Sequence, residues 1–309
     1  MFIYLVNMYE LNILRVNNHR IYTPDNDFID LDWAQAEEHN TKLLIISHGM
    51  EGNSRRKYVC GMMSAFIGEG WDVMAWNFRS CGPEMNLQPR LYHCGDTDDI
   101  QTVIHHAIDL GYQSIILAGF SMGGSITLNY LGKSVDSVPP EVLGGITFSV
   151  PCDLTACSIR LDKGFHKIYT YNFLLTLREK IRSKHEQMPN VYSVDGLDKI
   201  RTLKAFDDKY TAPIHGFLSA EDYWYKCSCS HVLEFIRRPV LIVNAKNDPF
   251  LLGDCYPMAA AKKNECIYLE MPETGGHVGF TLRGKYYWSE KRAVEFAREH
   301  FFPLAAQWP

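Results

Sequence analysis

Ser121 stands in Gly119-Phe120-Ser121-Met122-Gly123, a G-x-S-x-G pattern that directly follows the apolar run Ser114 to Gly119 and precedes a helical stretch. Glycines two before and two after the serine clear room for a tight strand-to-helix turn, the nucleophile elbow, which projects the hydroxyl above a sheet. A helix starting behind Ser121 would aim its N-terminal amides and the positive end of its dipole at the hydroxyl, where acyl transfer develops negative charge. The pattern alone is common. Its place between strand and helix marks Ser121 as the expected nucleophile.

A serine hydroxyl needs a base, and His277 fits, in Glu273-Thr-Gly-Gly-His277-Val-Gly-Phe280. It follows the last apolar run, Cys266 to Glu270, in a glycine-rich loop that can carry an imidazole over a sheet edge. The acid that orients it should lie between nucleophile and histidine. Asp248, just past Val240-Leu-Ile-Val-Asn244 and immediately before Pro249, sits in a rigid loop suited to holding one tautomer. Asp153, shortly after Val150, is the alternative acid, one strand earlier. Two amides should receive the oxyanion: Met122 N–H, next to the nucleophile, and Met50 N–H in Ser47-His48-Gly49-Met50-Glu51-Gly52, after an early strand.

These residues require a scaffold of alternating strands and helices. Strands are expected at Lys42 to Ser47, Asp72 to Asn77, Ser114 to Gly119, Gly144 to Val150, Pro239 to Asn244 and Cys266 to Glu270. A helix is expected over Asp96 to Leu110, where Ile100, Val103, Ile104, Ala107 and Ile108 recur at helical spacing behind Asp96 or Thr97 as N-cap. Repeated strand, helix, strand gives a mostly parallel sheet with helices on both faces. Leu11 to Val16 and Asp27 to Trp33 alternate as short strands and should form its antiparallel edge.

From about Pro151 to Ser230 the alternation stops, in a stretch rich in Tyr, Phe, Lys and Arg with a helix expected at Tyr171 to His185. An insertion of roughly 80 residues should have its own structure. The expected organisation is core over 1–150, helical cap over 151–230 and core again over 231–309. The cap would cover the carboxyl edge of the sheet, where open α/β sheets bind ligands. Its aromatics Phe165, Tyr169, Tyr171, Phe173, Tyr223, Trp224 and Tyr225 are expected mostly in the cap's own core, with some facing substrate.

The chain has 309 residues, 46% hydrophobic and 22% charged, with a net charge of −5, which suits a packed enzyme of small molecules rather than a nucleic-acid binder. The nine cysteines, an odd number without a secretory leader before them, suit reduced thiols in the cytoplasm. No apolar run reaches the ~20 residues of a spanning helix, so no integral membrane segment is expected. Asp207, Asp208, His215 and Asp222 match no metal-ligand spacing and should serve capping and loop hydrogen bonds. Arg79 should tie loops together. Neither cofactor nor metal is called for, and nothing in the sequence indicates a homo-oligomer.

Several blocks together resemble the YheT-like branch of the α/β-hydrolase superfamily, esterases similar to yeast medium-chain alcohol acyltransferases. They are Ser47-His-Gly-Met-Glu-Gly52; Asn77-Phe-Arg79 running on to Tyr92-His-Cys-Gly-Asp-Thr-Asp-Asp99; the elbow at Gly119; Phe206-Asp-Asp-Lys-Tyr-Thr-Ala-Pro-Ile-His-Gly216 through Tyr223; Asn247-Asp-Pro-Phe250; and Gly275-Gly-His-Val-Gly-Phe280. The resemblance implies an α/β-hydrolase fold with a triad of Ser121, Asp248 and His277, and it counts against Asp153. Members usually carry a further segment with His-Leu-Gln-Thr before the first strands, and the chain is expected to start after it. Eukaryotic relatives often carry a membrane anchor, so a soluble, bacterial-type form is implied here.

The expected activity is hydrolysis of carboxylic esters of short or medium acyl chains through an acyl-enzyme. Acyl transfer to an alcohol or thiol is the first alternative, separated by product analysis with added ethanol. A non-catalytic ligand-binding protein on the same fold is the second, separated by an active-site fluorophosphonate probe. An epoxide hydrolase or dehalogenase would need an aspartate where Ser121 stands.

Overall fold

The computed structural model describes residues 16–36, 40–133 and 135–302. Eight strands form one sheet in the order β1-β2-β4-β3-β5-β6-β7-β8. They are β1 (Val16–Tyr22), β2 (Phe28–Ala34), β3 (Lys42–Ser47), β4 (Asp72–Trp76), β5 (Ser114–Phe120), β6 (Val142–Phe148), β7 (Val240–Val243) and β8 (Ile267–Glu270). β1 and β2 pair antiparallel, β2 pairs antiparallel with β4, and every pairing from β4 to β8 is parallel. The expected antiparallel edge is thus present, with its first strand at Val16–Tyr22 rather than Leu11 to Val16, of which Leu11 to Arg15 lie outside the described residues.

Period-2 alternation sends neighbouring residues of each strand to opposite faces. Leu43, Ile45, Met74, Ile115, Leu117 and Ile242 pack on one face with helices α2 (Asp98–Asp109) and α3 (Met122–Lys133). Leu44, Ile46, Val73, Ala75, Ile116, Ala118 and Val243 pack on the other, against α1 (Lys57–Ile67) and the last helix of the described residues, Trp288–His300. Both faces are dry, which is why the central strands are continuous apolar runs.

Between β6 and β7 the chain forms α4 (Leu154–Leu161), α5 (Lys167–Gln187), α6 (Leu203–Phe206), α7 (Ala212–Ile214) and α8 (Ala220–Cys227). A third apolar cluster, with Leu161, Leu174, Leu177, Ile181, Tyr192, Phe206 and Tyr210, is their own core and also takes in Phe250 and Leu251. A π-helical turn, Asp207–Thr211, joins α6 to α7, the kind of widened turn that often faces a functional site. After β7 follow α9 (Met258–Lys263), β8 and α10, the Trp288–His300 helix.

Three local expectations are corrected. α5 starts before Tyr171 and runs past His185, because a 3₁₀ turn at Gly164–His166 leads straight into it. α2 runs over Asp98–Asp109 rather than Asp96 to Leu110; Thr97 is its N-cap, one of the two residues expected there, but without a side-chain capping bond, and the Asp96 carboxylate is drawn to Arg90. Of the seven aromatics only Tyr169 and Phe173 pack with the insertion's own cluster: Tyr223 and Trp224 are buried in the cluster shared with the sheet, and Phe165, Tyr171 and Tyr225 are 79%, 54% and 67% exposed.

Candidate active site

β5 ends at Phe120 and α3 starts at Met122, so Ser121 is the single residue between strand and helix. It holds φ +52°, a left-handed backbone that costs a residue with a Cβ ~1 kcal/mol. The turn is gripped by the Ser121 N–H on the Phe148 carbonyl, 2.9 Å. Its glycines are sterically required: a Cβ on Gly119 would lie 2.5 Å from the Gly123 carbonyl oxygen, and one on Gly123 would lie 2.2 Å from that of Ser47.

The loops after β7 and β8 bring the other two expected residues to the serine. His277 Nε2 is 2.9 Å from Ser121 Oγ, and its Nδ1 is 2.9 and 3.1 Å from the two oxygens of Asp248. Nδ1–H therefore donates to the carboxylate and Nε2 is free to accept the serine proton. The Asp248 side chain is fully buried and that of His277 13% exposed. Asp248 Oδ1 also accepts the Phe250 N–H at 2.9 Å, and the Phe250 ring stacks on the imidazole with centroids 3.9 Å apart. Asn247 ties the two loops together: its side-chain oxygen accepts the N–H groups of Gly275 and Gly276, each at 2.9 Å. Asp153 is elsewhere engaged, capping α4 through the Ala156 N–H at 3.0 Å.

The loop after β3 is drawn in against the elbow, where a Cβ on Gly49 would be 3.4 Å from Ser121 Cβ. The Gly49 carbonyl accepts the Gly52 N–H at 2.9 Å and faces His48 Nδ1 at 2.7 Å. His48 Nε2 in turn accepts the Phe78 N–H at 3.1 Å, so Nδ1 carries the proton. Burial holds this imidazole neutral, pushing it down to about 3. The peptide is trans, so gripping the Gly49 carbonyl fixes the Met50 N–H in the opposite direction. Met122, as first residue of α3, has an amide without an acceptor inside the helix.

Ser121, Met50 and Met122 line one cavity with Leu154, Leu161, Phe173, Leu177, Phe206, Tyr210, Tyr223, Trp224 and Phe250. Of the seven cap aromatics, Phe173, Tyr223 and Trp224 thus face the site, and Tyr169 packs on Phe250 with centroids 4.8 Å apart. Polar groups on the wall besides Ser121 include Ser158, Lys180, Asp207, Thr211 and His215. Asp207 accepts from Thr211 Oγ1 at 2.7 Å and Trp224 Nε1 at 2.8 Å, and burial pushes its carboxyl up to about 6. His215 meets His93 edge to face at 4.6 Å, and burial pushes both imidazoles down to about 3.

The other acidic residues of this region serve the loops, as expected: Asp208 accepts the Ala220 N–H at 2.8 Å and Asp222 that of Leu218 at 3.0 Å. Arg79 is buried and paired with Asp25, Asp27 and Asp99, which ties the β1–β2 turn to α2. Sequence reasoning missed the tautomer lock at His48, the Asn247 bridge and the pairing of Glu51 with Lys180. The first two sit inside quoted motifs. The third joins residues 129 apart, and nothing local signals it.

A family model for the alpha/beta hydrolase fold matches residues 42–283. The putative esterase YheT of Escherichia coli (strain K12) is 32% identical over 285 residues, spanning 90% of this chain and 83% of that protein. Phospholipase ABHD3 of Homo sapiens is 31% identical over 277 residues, 86% of this chain and 67% of that protein. Among solved structures, the Pyrococcus furiosus esterase Pf2001 superposes with a TM-score of 0.65 over 97% of this chain and 96% of that one at 14% identity, a likeness of fold. The chain belongs to the alpha/beta-hydrolase fold family, in its YheT-like branch. No helix among the described residues is long and apolar enough to cross a membrane.

Proposed function

We propose that this chain is a serine hydrolase of carboxylic esters. One observation carries it: the hydrogen-bonded chain from Ser121 Oγ through His277 to Asp248 lies against an apolar cavity. The names of its relatives, an esterase and a phospholipase, support the same class.

Ser121 Oγ attacks the ester carbonyl carbon while His277 Nε2 takes its proton. The Met50 and Met122 N–H groups hold the resulting oxyanion. As the carbonyl re-forms, His277 returns the proton to the departing alkoxide, which leaves as the alcohol. Water then attacks the acyl-enzyme with His277 again as base, and collapse frees the acid and restores the serine. Asp248 keeps the imidazole in its Nδ1–H tautomer and balances the imidazolium. The route draws on no metal or cofactor.

Residues 151–230 act as a cap that walls the acyl site, with Leu161, Phe173, Leu177 and Phe206 supplying apolar surface for a short or medium chain. The test is turnover of p-nitrophenyl esters of graded acyl length, with fluorophosphonate labelling, on wild type and Ser121→Ala. Wild type should turn over and label, and the variant do neither. A folded wild type that does neither, or a variant as active as wild type, overturns the proposal.

A further inference from the structure

We propose that Lys180 is a positioning residue for the oxyanion donor Met50: through the carboxylate of Glu51 it couples the seating of α5 over the site to the shape of the oxyanion loop. The inference rests on the serine-hydrolase reading above.

Lys180 Nζ lies 2.6 Å from Glu51 Oε1, with the two side chains only 7% and 8% exposed. A buried pair of this kind contributes little net stability over a well-packed apolar pair, and its best attested use is to specify one arrangement. Here the partners come from different layers, Lys180 from α5 and Glu51 from the turn after β3. Glu51 is the residue after Met50 and holds φ +54°, a left-handed backbone for a side chain with a Cβ. Such a conformation persists only where its surroundings over-determine it.

The surroundings do so at three points. The Glu51 N–H donates to Tyr92 Oη at 3.3 Å, its carbonyl accepts from Arg56 at 2.8 Å, and its carboxylate accepts from both Tyr92 and Lys180. The Lys180 ammonium also sits 4.8 Å from the centre of the Tyr92 ring and 3.3 Å from Cys81 Sγ. Residues 49 and 50 are held from the core, by Tyr58 on the Gly49 N–H and by His48 and Gly52 on its carbonyl. Lys180 is therefore the contribution of the helical layer to this loop. If α5 lifts, the Glu51 carboxylate loses its counter-charge, the left-handed turn loses one of its ties, and the Met50 N–H loses its aim.

The deciding variant is Lys180→Met/Glu51→Gln, in which no unpaired charge is buried and the Gln side chain still accepts from Tyr92. Lys180→Met and Lys180→Arg accompany it. Kinetics use an acetate ester, whose acyl group hardly needs the apolar wall. Inhibition uses a trifluoromethyl ketone, which forms a tetrahedral oxyanion on the serine, and the matching secondary alcohol, which does not. Removing one oxyanion donor costs 10²–10³ in kcat, so misaiming one should cost about 10–100-fold.

The double variant should keep the melting temperature of wild type, lose kcat by that factor at a KM within about twofold, and lose trifluoromethyl ketone affinity in proportion. Affinity for the alcohol should stay, and Lys180→Arg should recover most of the rate. A double variant that matches wild type in kcat and ketone affinity refutes the coupling, as does a loss confined to KM or to melting temperature. Fluorophosphonate labelling of wild type separates the two levels: without it the hydrolase reading itself fails, whereas labelled wild type with an unimpaired double variant sinks only the role of Lys180.

Discussion

Replacing Asp207 by Asn should change how stability depends on pH, by an amount the structure sets. Asp207 is half-buried in the cavity wall, its carboxyl accepts from Thr211 and Trp224, and desolvation pushes it from 3.8 up to about 6. Between those values the folded protein binds a proton that the unfolded chain does not. Stability from this group is then fully present below 3.8 and is lost as pH rises through about 6. A rise of about two units at 1.36 kcal/mol each makes the loss ~3 kcal/mol. An Asn side chain preserves both contacts, its oxygen accepting from Trp224 and its amide donating to the Thr211 hydroxyl. Urea unfolding of wild type and Asp207→Asn should therefore be compared at steps from pH 4 to pH 8. The variant should gain on wild type by ~1.4 kcal/mol per pH unit between 4 and 6, then hold a constant lead of ~3 kcal/mol. Two stability curves that run parallel across this range would refute the assignment of a raised, desolvated carboxyl to Asp207.

Asp248→Asn should lower kcat by up to ~10⁴ with the fold intact, because an amide disfavours the Nδ1–H tautomer of His277; Asp153→Asn, which alters only a helix cap, should leave ester kinetics near wild type, and the reverse order would move the acid to Asp153. Gly123→Ala puts a Cβ 2.2 Å from the Ser47 carbonyl oxygen and 2.5 Å from that of His48, so the elbow must shift, and fluorophosphonate labelling should fall at least tenfold; unchanged labelling would show the turn to be more yielding than its packing implies. Phe173→Ala and Trp224→Ala enlarge the cavity wall and should move the preferred acyl length upward in an ester panel for at least one of the two, each extra buried methylene giving up to ~0.8 kcal/mol. An unaltered chain-length profile in both variants would place the acyl group elsewhere.

The hydrogen-bonded trio of Ser121, His277 and Asp248 was legible because each member follows the carboxyl end of an apolar strand, where chain order and turn residues carry information. Strand ends were less so. Ser149 and Val150 are as buried as β6 itself, but Ser149 turns to φ +54° and the ladder stops at Phe148; hydrophobicity marks burial, not hydrogen-bond pairing. Aromatic side chains of the helical layer were sorted only by structure, since α5 exposes Tyr171 yet turns Phe173 to the cavity two residues on. Long-range pairs such as Glu51 with Lys180 and Asp207 with Trp224 depend on how layers stack, and no local pattern records that.

His48, His93 and His215 have a consequence for the protein as a proton reservoir. His48 is buried and His93 and His215 are half-buried, and desolvation keeps their imidazoles uncharged in the folded protein until about pH 3, whereas a freed imidazole charges near its ordinary 6.5. Depressed basicity favours the unfolded chain as soon as protons become plentiful, so the stability these groups permit at neutrality drains away as pH falls below 6.5. Acidification thus pulls on the molecule at two walls at once, the turn before Met50 and the far side of the cavity beside Ser121. Opening the fold in that range is coupled to an uptake of protons, and a weakly buffered solution should register it as a rise in pH during unfolding.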